Sequence, residues 1–258
     1  MARESTKNER TMDHVEYCNE LGAEVSRFAD VMASLSLQDE VTTCPGWTVR
    51  DLGEHLGVIH RWAEELVRLR SSERIARVPL ENPDVVSPEW IEEGGAELVA
   101  TLLAADPNDD MWAWGQDQHV RFWPRRQLHE TLVHRMDLEL AAGRTPRAEP
   151  SIALDAIDEY FSNLEKASTY SPDLTALRGQ GERLAFRDSE SGTHWSLTLG
   201  EHGVGVSSDE DPFDAEVVSS PVNLLLVVLG RRGVDSAEVL VKGQRQLVDF
   251  WLDNSAFE

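Results

Sequence analysis

The hydrophobic period of this chain changes once, near residues 145–150, and that change constrains the fold more than any other feature. Before the polar, proline-containing link TPRAEP, apolar residues recur three and four positions apart. That is the spacing of one face of an α-helix. Beyond the link, Leu184, Phe186, Trp195, Leu197 and Leu199 alternate with polar residues, as in a strand with one buried face. A helical N-terminal part and a smaller mixed C-terminal part follow, with domains expected at 1–147 and 148–258. The fold class expected is α+β.

Four helices account for the first part. Val15, Leu21, Val25, Phe28 and Met32 mark one within 11–36. After the turn TTCPGW, Thr48 is a good N-cap, and Asp51 three residues on completes a capping-box pattern for VRDLGEHLGVIHRWAEELVRLR. Residues 71–87, with Pro79 and Pro83, read as a loop. Ser87-Pro88 opens PEWIEEGGAELVATLLAA, with proline in the first turn. The Trp-rich MWAWGQDQHVRFWP reads as loop or extended chain, and RRQLHETLVHRMDLELAAG as a fourth helix closing at Gly143. Helices of this length and connection suggest a bundle. The second part reads as a helix over SIALDAIDEYFSNLEKA, then antiparallel strands turning at DSESGT. FDAEVVSS and AEVLVKG are further strands, flanking a buried helix that Ser220 caps and Pro221 starts, and QRQLVDFWL is a final helix.

Two stretches carry chemistry. In the second helix, Leu52, His55, Ile59, Trp62 and Leu66 share a face, so His55 points with the apolar residues. In the fourth, Glu130 and His134 are four residues apart and project from one face. Two imidazoles and a carboxylate make a three-ligand site for a divalent metal with a position left open. Asp137 serves either to orient a ligand imidazole or to pin a helix by an ion pair, the commoner use. Cys44 reads as a small buried hydrophobe at a helix start rather than a nucleophile. His60 and His129 lie off the ligand face as surface or helix-packing residues, and His119 has no fixed direction. The tryptophans at 47, 62, 112, 114 and 123 read as packing, Trp47 as a hydrophobic staple.

Composition excludes several functions. A formal charge of -23, with no long basic run, repels a phosphate backbone. The longest apolar run, VNLLLVVLG, is too short for a bilayer, and MARESTKNER has no signal-peptide core. With two cysteines and no such signal, reduced thiols in the cytoplasm are expected. Phosphate-loop, dinucleotide and serine-hydrolase motifs are missing from the sequence. The acid run SSDEDPFD reads as a solvated loop.

Together, CPGWTVRDLGEHLGVIHRW, the E-x-x-x-H-R-x-D pattern at 130–137 and FDAEVVSSPVNLLLVVLGRRGVDSAEVLVKGQRQLVDFW resemble the mycothiol-dependent maleylpyruvate isomerase family. The resemblance implies a DinB-like metal-binding four-helix bundle followed by a sterol-carrier-like α/β domain with an antiparallel sheet. It implies that His55, Glu130 and His134 hold Zn²⁺ or another divalent metal. Mycothiol would be the thiol cofactor, and the host actinobacterial. Arg231 corresponds to a family arginine that holds a substrate carboxylate, as a planar guanidinium can; the alternative is neutralisation of a helix C-terminus. The implied reaction is thiolate addition to a cis-unsaturated keto acid, bond rotation and elimination. Thiol transfer to other electrophiles, or ligand binding without catalysis, stays open on the same scaffold. The partners implied are a small-molecule substrate and a low-molecular-weight thiol, in a monomer or homodimer.

Overall fold

The protein is described from a computed structural model over residues 12–77, 83–167, 173–207 and 212–255. The N-terminal MARESTKNER, Pro79 in the loop reading and positions 208–211 of the acid run lie outside the described residues. The helical part comprises α1 (His14–Ala33), α2 (Val49–Leu69), α3 (Pro88–Ala104) and α4 (Phe122–Ala141). The first three begin where their capping residues dictate. Asp13 and Glu16 form a capping box on α1, and Thr48 and Asp51 form the expected one on α2. The Ser87 side chain accepts from Trp90 N ahead of α3. Each cap satisfies backbone N–H groups that lack a partner within the helix.

The fourth helix starts earlier than its polar sequence suggests, at Phe122 rather than Arg125. Pro124 then sits in the first turn, where no N–H is needed. Burial of Phe122 and Trp123 outweighs the absence of a side-chain cap. Trp62, Trp112 and Trp123 pack ring against ring at 5.5–6.2 Å, so these tryptophans are packing residues as read. Helices α1 and α2 each pack against both α3 and α4, closing a four-helix bundle.

The remaining elements are α5 (Pro150–Ala167), β1 (Glu182–Asp188), β2 (His194–Gly200), β3 (Gly203–Ser207), β4 (Ala215–Ser219), α6 (Pro221–Val228), β5 (Leu240–Gly243) and α7 (Arg245–Asn254). The sheet order is β3-β2-β1-β4-β5. The expected antiparallel sheet needs one correction, because β1 and β4 run parallel. Alternation reports which face a residue occupies and is the same for both strand directions. It therefore cannot reveal that the chain leaves the β3 edge and returns beside β1. Ser220 does occupy the N-cap position of α6, but its Oγ accepts from Asn223 rather than from the backbone. Phe161 of α5 meets Phe186 of β1 at 5.5 Å, and Trp251 of α7 meets the same ring at 5.7 Å. These aromatics cover one face of the sheet, and the whole is an α+β fold.

One buried polar group sets a pH limit on the bundle. His60 of α2 is fully buried, with Nε2 2.9 Å from Thr131 Oγ1. Thr131 donates to Gln127 O, so His60 Nε2–H is the donor, and Nδ1 has no hydrogen-bond partner among the described residues. Burial lowers this imidazole from 6.5 to about 3. The fold keeps it neutral while the unfolded chain takes up a proton, so stability falls as pH drops from about 6.5 toward 3. The slope from this group approaches about 1.4 kcal/mol per pH unit. H60Q, which retains an N–H donor, is expected to flatten urea-unfolding stability between pH 7 and pH 4. Equal slopes for wild type and variant would refute the assignment.

Candidate metal centre

The capping box fixes where α2 begins and so where His55 falls, on the turn facing α4. From α4, Glu130 and His134 rise four residues apart. Glu130 Oε1 lies 3.2 Å from His55 Nε2 and 3.3 Å from His134 Nε2. The imidazole rings stand at 83° with centroids 5.1 Å apart. Two donors each about 2.1 Å from a tetrahedral zinc are separated by roughly 3.4 Å, so this spacing and donor set fit such an ion. The three residues that sequence spacing picked out are thus brought together. His55 is less buried than its apolar neighbours suggest. It borders a cavity of about 240 Å³ lined by Trp47, Asp51, Glu54, Val58 and Arg77. Trp47, expected as a staple, tilts against the His55 ring at 5.0 Å.

Behind His134 stands Asp137, which is 0% exposed. Its Oδ2 lies 3.0 Å from His134 Nδ1, so that nitrogen carries the proton and Nε2 is turned toward Glu130. Thr43 Oγ1 donates to Oδ1 at 2.6 Å, and the Cys44 thiol lies 3.6 Å from Oδ2. Arg231 Nε approaches Oδ1 at 3.4 Å from the second part of the chain. Burial raises the Asp137 pKa, but the His134 hydrogen bond and the Arg231 charge outweigh it and bring it to about 2. Asp137 therefore fills both of the roles weighed from sequence.

Burial likewise opposes the charge on Glu130, yet Arg126 and the two histidines hold it well below the usual carboxylate range. His134 is raised well above an ordinary imidazole, because Asp137, Cys44 and Glu130 outweigh its burial. Cys44, His134 and Asp137 also form a group of metal-competent side chains. Asp137 occupies the Nδ1 side of the shared imidazole, so that group reads as support for the Nε2 side.

Arg231 follows Gly230, whose φ of 71° belongs to the left-handed region that glycine tolerates. That turn ends α6 and lets the N–H of Arg231 bond Leu226 O at 2.7 Å. The Arg231 side chain is partly committed, Nε to Asp137 and Nη1 to Leu229 O. It bonds a carbonyl at the end of α6, as the helix-end reading expects, and its Nε also reaches Asp137 behind His134.

Cys44 is half-buried and packs against the hydrophobic core as read, but its thiol also faces Asp137. His129 is 2% exposed, hydrogen-bonds Glu159 of α5 at 2.7 Å and lies at ion-pair distance, 3.0 Å, from Asp155, so of its two readings the helix-packing one holds. His119 stays within its own loop, paired with Asp110 and Asp117. Arg126, bonded to Glu130, was missed, although its position four residues earlier on the helix was a legible signal. Thr43 carried no such signal.

Residues 19–139 match the model of the mycothiol maleylpyruvate isomerase N-terminal domain. The chain therefore carries a domain of that kind over its helical part. Its fold is similar to the crystal structure of the mycothiol-dependent maleylpyruvate isomerase, with a TM-score of 0.58 and 16% identity over 90% of this chain and 93% of that one. A histidine-to-alanine mutant of that enzyme gives a TM-score of 0.58 at 15% identity, with the same coverage. No curated protein matches the sequence. Among the described residues no helix is long and apolar enough to cross a membrane.

The Asp137–His134 pair generates a direct test. D137N removes the charge that fixes the tautomer of His134, and metal affinity is expected to fall about 10- to 100-fold by chelator competition. Unchanged affinity in a folded D137N protein would remove Asp137 from the metal's support.

Proposed function

We propose that this protein is a zinc- and mycothiol-dependent cis–trans isomerase of a maleylpyruvate-type unsaturated keto acid. The observation that carries the reading is the convergence of His55 Nε2, Glu130 Oε1 and His134 Nε2 within 4.8 Å beside an accessible cavity. The match of residues 19–139 to the mycothiol maleylpyruvate isomerase N-terminal domain, and a fold like that of the mycothiol-dependent maleylpyruvate isomerase, support it. Three protein ligands of this kind leave a coordination position open for a small molecule.

His55, Glu130 and His134 would hold a divalent metal, whose charge would let a coordinating thiol release its proton to water; addition of that thiolate to the conjugated bond, rotation, and elimination of the same thiolate would exchange cis for trans. The protein's own groups set the conditions. Asp137 holds a proton of His134 on Nδ1, so Nε2 is the nitrogen that would give up its proton and present a lone pair to a bound metal. Arg126 and the two imidazoles keep Glu130 ionised despite its burial. Arg231, with Nε and Nη1 engaged, has Nη2 left to bind a substrate carboxylate. It brings positive charge to a region dominated by Asp137 and Glu130, which would otherwise repel a dicarboxylate. The cavity between Trp47 and Arg77 supplies room for the thiol's polar remainder next to His55.

One divalent metal ion per chain is expected by elemental analysis, and it is expected to be lost in H55A and H134A. Turnover of maleylpyruvate should require an added thiol and stop on chelation. R231A is expected to raise KM more than it lowers kcat, because it removes substrate binding and leaves the ligands in place. Metal-free protein with full activity would overturn the proposal, as would turnover indifferent to thiols.

A further inference from the structure

Glu130 divides its two oxygens between different partners. Oε1 faces both imidazoles, and Oε2 is held by the Arg126 guanidinium. Arg126 in turn is held from its other side, with Nη1 3.2 Å from Glu159 Oε2 on α5. Glu159 is 3% exposed and accepts from His129 Nδ1 at 2.7 Å, and His129 Nε2 lies 3.0 Å from Asp155. Arg125 bonds Asp155 at 2.8 Å as well. The guanidinium of Arg126 also lies 5.6 Å from the Trp114 ring centroid. Swinging Arg126 away from Glu130 would therefore strip buried Glu159 of a cation, which is strongly unfavourable in a low-dielectric interior.

We infer that Arg126 is a positioning residue that confines Glu130 to ligation through a single oxygen and so keeps a coordination position open for the thiol. The inference rests on the metal-and-thiol reading above. A free carboxylate beside a divalent ion can offer both oxygens. A guanidinium fixed on Oε2 from outside the site removes that option. It does so at the expense of metal affinity, since a cation beside Glu130 weakens the carboxylate's attraction for another cation. The role is the reverse of that of Asp137, which strengthens a ligand. The anchor lies on α5, a helix whose Phe161 also packs on the sheet, so the coordination mode is set by the second part of the chain.

The test uses full-length wild type, R126M and R126K, each loaded with Co²⁺ in place of the native metal. Folding is checked by circular dichroism and thermal unfolding. Four-coordinate Co²⁺ absorbs visible light more strongly than five- or six-coordinate Co²⁺. R126M is expected to give weaker visible absorption per bound Co²⁺ and metal affinity no lower than wild type. Its thiol-dependent turnover is expected to fall roughly 10- to 100-fold. In R126K a point charge must choose between Glu130 and Glu159, so intermediate values are expected, and this variant carries the test if R126M fails to fold. Unchanged absorption overturns the inference, and so does a fall in metal affinity parallel to activity, which a merely structural role would produce. Wild type that takes up no Co²⁺ overturns the metal reading itself, whereas wild type that binds Co²⁺ with variants that behave identically overturns only the role of Arg126.

Discussion

A buried carboxylate with four separate donors around it is the constraint on which the site depends. Asp137 cannot stay ionised in the interior unless its neighbours compensate the lost hydration. Those neighbours are Thr43 and Cys44 from the turn before α2, His134 from its own helix and Arg231 from beyond α6. The four donors come from three separate places in the sequence. Satisfying one charge therefore brings the start of α2, the middle of α4 and the end of α6 to a common point. The orientation of His134 follows from that, and so does the direction in which its second nitrogen looks.

A second ionic assembly does comparable work on the opposite side of Glu130. Arg125, Arg126 and His129 face Asp155 and Glu159 across the contact between α4 and α5. The pairs are largely withdrawn from water, so breaking any one strands a buried charge. Glu130 is thereby gripped between two charged networks, one reaching toward α6 and the other toward α5. Both involve the C-terminal part, so the placement of these ligands draws on contacts from beyond the four-helix bundle.

Most of the helical architecture was legible in sequence because capping chemistry is local. Thr48 with Asp51, and Ser87 with Pro88, announce their helices within four residues. The pairing of Glu130 with His134 was equally local, and His55 could be placed on the correct face by its apolar neighbours. The start of α4 was obscured because Phe122 and Trp123 are drawn into the helix by tertiary burial, which no capping signal records. The parallel β1–β4 pair was hidden because a period of two is blind to strand direction. Cys44 and Thr43 were unreadable as site residues because their role depends on Asp137, some ninety positions away. Arg126 was the avoidable omission, since helical spacing alone puts it beside Glu130.

The sheet order has a consequence for Arg231. Strand β4 is flanked by β1 and β5, and α6 leaves directly from its end. The arginine is therefore mounted on an interior strand, where backbone opening is rarest, rather than on either fraying edge. Its tether to the sheet runs through only eight helical residues and a single left-handed glycine. Evolution of this scaffold toward other substrates has a natural point of adjustment there. Changing the length of α6 or the turn at Gly230 would move the cationic group relative to the imidazoles without disturbing the strands that carry it.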